Sequence, residues 1–74
     1  MNLNLMNLTV VLNGRDVFEY FCHGFVPRVG DVIEHEKSPK DKISLYTVER
    51  VCSIVSSNNR LVRIELYVAE GLKG

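Results

Sequence analysis

The chain of 74 residues has no tryptophan, only two cysteines, two prolines and no net charge. Each shortage excludes something. Cys22 and Cys52 are too few for a disulfide framework, so both are expected to be free thiols in a reducing, cytoplasmic compartment. Nine basic and nine acidic residues cancel, which removes the broad attraction that draws a basic protein to nucleic acid or anionic membrane. No run approaches the roughly 20 apolar residues of a membrane helix. The opening Met-Asn-Leu-Asn-Leu-Met lacks the basic region of a signal peptide. Nowhere do apolar residues recur at helical spacing over three turns, so helices are not expected.

What is present reads as strands. The 46% hydrophobic content, free of low-complexity tracts, argues against disorder. One small domain, 1–74, is expected. A domain of this size buries only about 60% of its unfolded surface, and oligomerisation is a usual supplement where disulfides and metals are absent.

The clearest signal lies in Tyr46 to Val68. Val62, Ile64, Leu66 and Val68 alternate with Leu61, Arg63, Glu65 and Tyr67, the period of a strand with one buried face. A two-residue turn at Asn58-Asn59, where Asn tolerates positive φ, sets Val55 opposite Val62, Ser53 opposite Ile64 and Val51 opposite Leu66. Opposed residues share a face, so Val51, Val55, Val62, Ile64 and Leu66 form one core side. Arg50, Cys52 and Ile54 share the outer side with Arg63, Glu65 and Tyr67. Tyr46 and Val48 are out of phase with Val51, and a bulge at Glu49-Arg50 reconciles them and bends the strand.

A first strand spans Leu3 to Leu12, with a slip near Met6-Asn7 to align Leu3 and Leu5 with the rest. Asn13-Gly14 is a strong hairpin signal. A three-residue loop with Gly14 in the left-handed region pairs Val10 with Phe18 and Leu8 with Tyr20; a two-residue loop pairs Val10 with Val17. The first packs apolar on apolar and is preferred. The second strand runs from Asp16 to about Phe21. Pro27 and Gly30 mark a turn that delivers a short third strand at Val32-Ile33. Residues 36–42 carry only loop chemistry and are expected to be exposed and mobile. A fourth strand starts near Ile43, and 71–74 is expected to fray.

The expected fold is therefore all-β: a five-stranded meander curled into a small barrel or a strongly bent antiparallel sheet. Pro27-Arg28-Val29-Gly30-Asp31-Val32-Ile33 followed by Tyr46-Thr47-Val48-Glu49-Arg50-Val51 resembles the small SH3-like barrels, in which a Gly-Asp turn launches a strand and a long bent hairpin follows. That resemblance covers about half the chain and implies an architecture, with no activity attached. The chain is also similar in style to the short proteins frequent in phage and mobile elements.

Chemistry-bearing groups are scattered. No paired-cysteine or two-histidine motif of zinc-binding spacing occurs. Cys22 and His23 are adjacent and so point to opposite faces of a strand, His35 sits between Glu34 and Glu36, and Cys52 is alone. Neither a metal nor another cofactor is expected. Glu34 and Glu36 share a strand face but read equally well as solvated charges, and a catalytic role is not expected. Two binding readings remain. In the first, the chain binds a protein partner or itself, as a homodimer, through an exposed apolar sheet face or edge with Phe18, Tyr20, Phe21, Ile54, Leu61 and Tyr67 as the contact residues. In the second, it is a barrel that binds RNA or a single strand through Lys37, Lys40, Lys42, Arg50, Arg63 and Tyr67. Asn59-Arg60-Leu61-Val62-Arg63-Ile64, after the Gly30-Asp31 turn, is faintly similar to the carbon storage regulator family of RNA-binding β dimers. That family's basic first strand is missing here, and its connection between turn and strand is much shorter. Glu49 and Glu65 interleave with the arginines, the pattern of ion pairs on a solvated face, and this favours the protein-binding reading.

Overall fold

Five strands form, each where period-two alternation meets a turn signal. A computed structural model describes residues 5–40 and 42–72. Strands β1 (Leu5–Leu12) and β2 (Arg15–His23) make the first hairpin. Strands β3 (Val32–His35), β4 (Ser44–Val55) and β5 (Leu61–Glu70) make an antiparallel run of three. The single sheet has the order β2-β1-β5-β4-β3, and it curls through 236° into a half-barrel.

The fold is all-β and curled, as expected, and within it the sheet is mixed and not a simple antiparallel meander. Five strands that alternate in direction leave the first and the fifth running the same way. Here those two meet, with β1 parallel to β5 from Leu8 opposite Ile64 to Leu12 opposite Val68. Strands β2 and β3, consecutive in the chain, do not pair. The meander thus closes through β1 and β5 and opens between β2 and β3.

Local chemistry sets both hairpins. Asn13 and Gly14 both take positive φ, 52° and 78°, between the opposed Leu12 and Arg15. This is the two-residue loop. Val10 nevertheless faces Phe18 and Leu8 faces Tyr20, because the register shifts between Val10 and Val11 and leaves Val17 as the extra residue. The preferred pairing holds, with the extra residue in the strand and not in the turn. In the second hairpin the Ser56 N–H donates to the Arg60 carbonyl and the Asn59 N–H to the Ser56 carbonyl, with Asn59 at φ 63°. That makes a three-residue loop with one left-handed residue, where a two-residue turn was expected. Ser53 faces Ile64 and Val51 faces Leu66 as the alternation requires, but a second shift sets Val55 against Leu61. The expected bulge in β4 is present: Val48 pairs with Val68 and Arg50 with Tyr67, leaving Glu49 over.

The core lies on the concave side. Leu8, Val10, Tyr46, Val48, Ile64, Leu66 and Val68 are buried together, with Phe18, Tyr20 and Ile33 packed against them. Each fully buried aliphatic side chain contributes about 1.5–3 kcal/mol. Val51, Val55 and Val62 do not join them; Val55 and Val62 are 56% and 53% exposed. Val51 stands opposite Leu66 but lies past Thr47, where the pairing of β3 with β4 ends; for Val55 and Val62 the physical reason is the overhang of the β4–β5 hairpin. Strand β1 pairs with β5 only from Ile64 onward, so among the described residues the hairpin tip has no neighbouring strand to curl against. The radius of gyration, 13.2 Å, exceeds the roughly 11 Å of a compact chain of this length. One further expectation is revised. No slip occurs at Met6-Asn7, since the register with β2 is continuous from Leu5 to Val10; Leu3 lies outside the described residues. Of the tail expected to fray, Gly71 donates its N–H to the Leu45 carbonyl and accepts at its own carbonyl from Thr47 Oγ1 at 2.6 Å; Lys73 and Gly74 lie outside the described residues.

The register makes a direct prediction for stability. Ile64→Ala and Leu66→Ala should each cost about 2–5 kcal/mol in denaturant unfolding, while Arg63→Ala costs under about 1 kcal/mol. An Arg63→Ala cost equal to that of Ile64→Ala would mean a register wrong by one residue.

Candidate interaction surfaces

Three surfaces gather the residues that sequence reasoning singled out. The first is the convex face of β4 and β5. Arg50, Cys52 and Ile54 stand opposite Tyr67, Glu65 and Arg63, as the alternation requires. Arg63 Nη2 lies 3.1 Å from Glu65 Oε2, and the Tyr67 hydroxyl donates to Glu65 Oε1 at 2.8 Å. The Arg50 guanidinium covers the Tyr67 ring, 4.1 Å from its centre. Thr9 and Val11 are buried although they sit on this convex side, next in register to Glu65 and Tyr67. Long amphipathic side chains stand in for a second layer here.

This arrangement engages the nucleic-acid candidates among themselves. A base cannot stack on the face of Tyr67 that Arg50 occupies, and Glu65 offsets the charge of Arg63. Lys37, Lys40 and Lys42 precede β4, whose first residue is six positions before Arg50, a separation of roughly 20 Å along an extended strand. The structure does not bring the two groups of cations together.

The protein-binding candidates divide differently. Phe18 and Tyr20 face inward. Phe18 stacks on His35 with ring centres 3.7 Å apart and lies 6.0 Å from Tyr46. Phe21 and Leu61 are well exposed, Ile54 and Tyr67 partly covered. The second surface is consequently an apolar end. Leu5, Phe21, Val55, Leu61 and Val62 are 49–58% exposed, at the end of the sheet where β1 and β5 begin and β2 and β4 finish. Sequence reasoning placed Val55 and Val62 in the core and missed them here. The total exposed surface is 5780 Å² for 8.4 kDa, against about 4,600 Å² for a folded monomer of that mass.

The third surface is the opening between β2 and β3, a groove of about 500 Å³ lined by Phe18 to Tyr20, Pro27 and Val32 to His35. Sequence reasoning did not single out Glu19, Val32 or Ile33; the only hint was the brevity of the third strand behind Pro27. Elsewhere, Cys22 is half-buried and its Sγ donates to the Phe25 carbonyl, while Cys52 lies on the convex side. Among the described residues, no three His, Cys, Asp or Glu side chains cluster as metal ligands would, and no helix is long and apolar enough to cross a membrane. No known family, curated protein or solved structure matches the chain.

Two phenols report on these surfaces. The hydrogen bond to Glu65, then burial and the negative charge of that carboxylate, hold the Tyr67 proton more tightly than usual, against the opposing charge of Arg50. Burial raises Tyr20 in the same direction. Both should ionise above the ordinary value near 10. Their raised folded-state values stabilise the fold below pH 10, a contribution lost as pH climbs through them. Alkaline titration followed by tyrosine ring resonances checks this. Glu65→Ala should bring Tyr67 down toward its ordinary value, and an unchanged Tyr67 would mean the hydrogen bond is not made in solution.

Proposed function

We propose that the protein is a non-catalytic assembly module that binds a protein partner, in the first instance a second copy of itself, through the apolar end formed by Leu5, Phe21, Val55, Leu61 and Val62. The observation that carries this reading is the group of large apolar side chains left about half exposed at this end, on a chain whose whole surface is about a quarter more than a monomer of this mass should show. That surplus, over 1,000 Å², is of the order of the roughly 800 Å² that each partner buries in a standard interface. Large apolar side chains contribute at this end, where among the described residues no strand pairs with β5 beyond Ile64 on the side away from β4. The same reading takes the architecture as a small SH3-like barrel opened along one side, and the compartment as the cytoplasm with Cys22 and Cys52 reduced.

Sedimentation at rising protein concentration tests the proposal. A dimer is expected, nearly insensitive to salt because apolar burial drives it, and Leu61→Asp with Val62→Asp should render the chain monomeric with its fold intact. A wild-type chain that stays monomeric, or a dimer that survives both substitutions, would reject this surface. Binding of a mixed single-stranded oligonucleotide that falls steeply between low and moderate salt would instead promote the reading built on Lys37, Lys40, Lys42, Arg50, Arg63 and Tyr67.

A further inference from the structure

We propose that the gap between β2 and β3 is a binding site for one extended peptide segment, of alternating apolar and basic residues, which enters as a sixth strand and completes the barrel. The angular geometry sets the width. Five strands divide the 236° curl into four intervals of about 59° each. The remaining 124° is about two such intervals, the room that one added strand requires. Direct closure of β2 on β3 would need only one.

Distances agree. No Cα of β2 comes within 8 Å of a Cα of β3, whereas paired strands lie about 4.8 Å apart and a strand between two others spans about twice that. Phe18 and His35 bridge the gap on the concave side, ring against ring. The backbone edges stay apart. Among the described residues, strand β2 is laddered only to β1 and β3 only to β4, so alternate N–H and C=O groups along both strands point into the gap without a ladder partner there. Following the pair directions across the sheet, β2 and β3 run antiparallel to each other. An inserted strand is therefore antiparallel to one and parallel to the other, the same mixed setting that β5 already occupies.

The lining specifies the occupant. Both faces of each edge line the groove, which marks it as an opening between strands and not a dent in one face. Phe18, Tyr20, Ile33 and His35 form the inward side, against which alternate apolar residues of a guest strand would pack. His35 also keeps a buried Nδ1 with no hydrogen-bond partner among the described residues. On the outward side stand Glu19 and Glu34, one on each rim, both exposed and neither in an ion pair among the described residues. Two carboxylates flanking one slot favour Lys or Arg at the outward positions of the guest. Main-chain hydrogen bonds to two edges supply affinity, and alternate side chains supply selectivity, the logic of strand addition. This site uses residues other than the apolar end, and neither proposal depends on the other.

The test uses the full chain and capped peptides as long as β2, nine residues, alternating valine with lysine or valine with glutamate. Amide hydrogen exchange read by NMR should show that the valine–lysine peptide slows amides on both β2 and β3. The valine–glutamate peptide should bind roughly tenfold more weakly or worse, and Glu19→Lys with Glu34→Lys should weaken the valine–lysine peptide by a similar factor. Protection of β1 and β5 amides reports that the variant still folds, and Glu19→Gln with Glu34→Gln serves if it does not. No binding of the valine–lysine peptide, protection confined to one of the two edges, or equal affinity for both peptides would overturn the proposal. Sedimentation of the peptide-free chain reads the apical dimer separately, so failure of one does not mimic failure of the other.

Discussion

The parallel pairing of β1 with β5 is the constraint on which the rest of the structure depends. An odd number of alternating strands brings its first and last members together only in parallel, and here that pairing forms the middle of the sheet. It leaves β1 covered on both sides, with Leu8 and Val10 fully buried and Thr9 and Val11 nearly so. It also determines where the sheet must end. With β1 and β5 joined, the sheet's two edges are β2 and β3, strands that follow one another in the chain but stay apart in space.

Curvature then follows from small irregularities. Extra residues at Val17 in β2 and Glu49 in β4 turn the sheet on itself, since a bulge bends its strand and increases the local twist. The bend in β4 brings Tyr46 and Val48 to the core that Ile64, Leu66 and Val68 build from β5. A half-barrel has one inside and no second layer, so its convex side must make its own cover. Arg50 over Tyr67, with Glu65 joined to both Tyr67 and Arg63, does so above Thr9 and Val11. Exposed ion pairs contribute little in themselves, about 0–1 kcal/mol; the apolar stems that they align matter more for covering the sheet.

Much of this was legible in the sequence where the information was local. Alternation along Val62 to Val68 told which residues of β5 share a face, Asn13-Gly14 marked the first turn, and the change of phase between Val48 and Val51 marked the bulge. What alternation cannot tell is whether a face is covered. Val51, Val55 and Val62 carry the same pattern as Ile64 and Leu66, yet burial requires a neighbouring strand: β1 reaches only as far as Ile64 along β5, short of Val55 and Val62, and β3 reaches only as far as Thr47 along β4, short of Val51. The choice of β5 over β3 as the neighbour in the sheet is likewise a property of distant segments, invisible in any short window. Glu34 read as an ordinary solvated charge and Glu19 did not stand out, because the gap they flank exists only once the sheet has curled.

The convex face, the apolar end and the gap all descend from the same strand order. Backbone nuclear Overhauser contacts in the peptide-free chain decide it. Contacts linking Thr9 and Val11 of β1 to their neighbours on β5, near Glu65 and Tyr67, with none between the backbones of β2 and β3, are the expected result. Backbone contacts joining β2 to β3, with none between β1 and β5, would contradict the account.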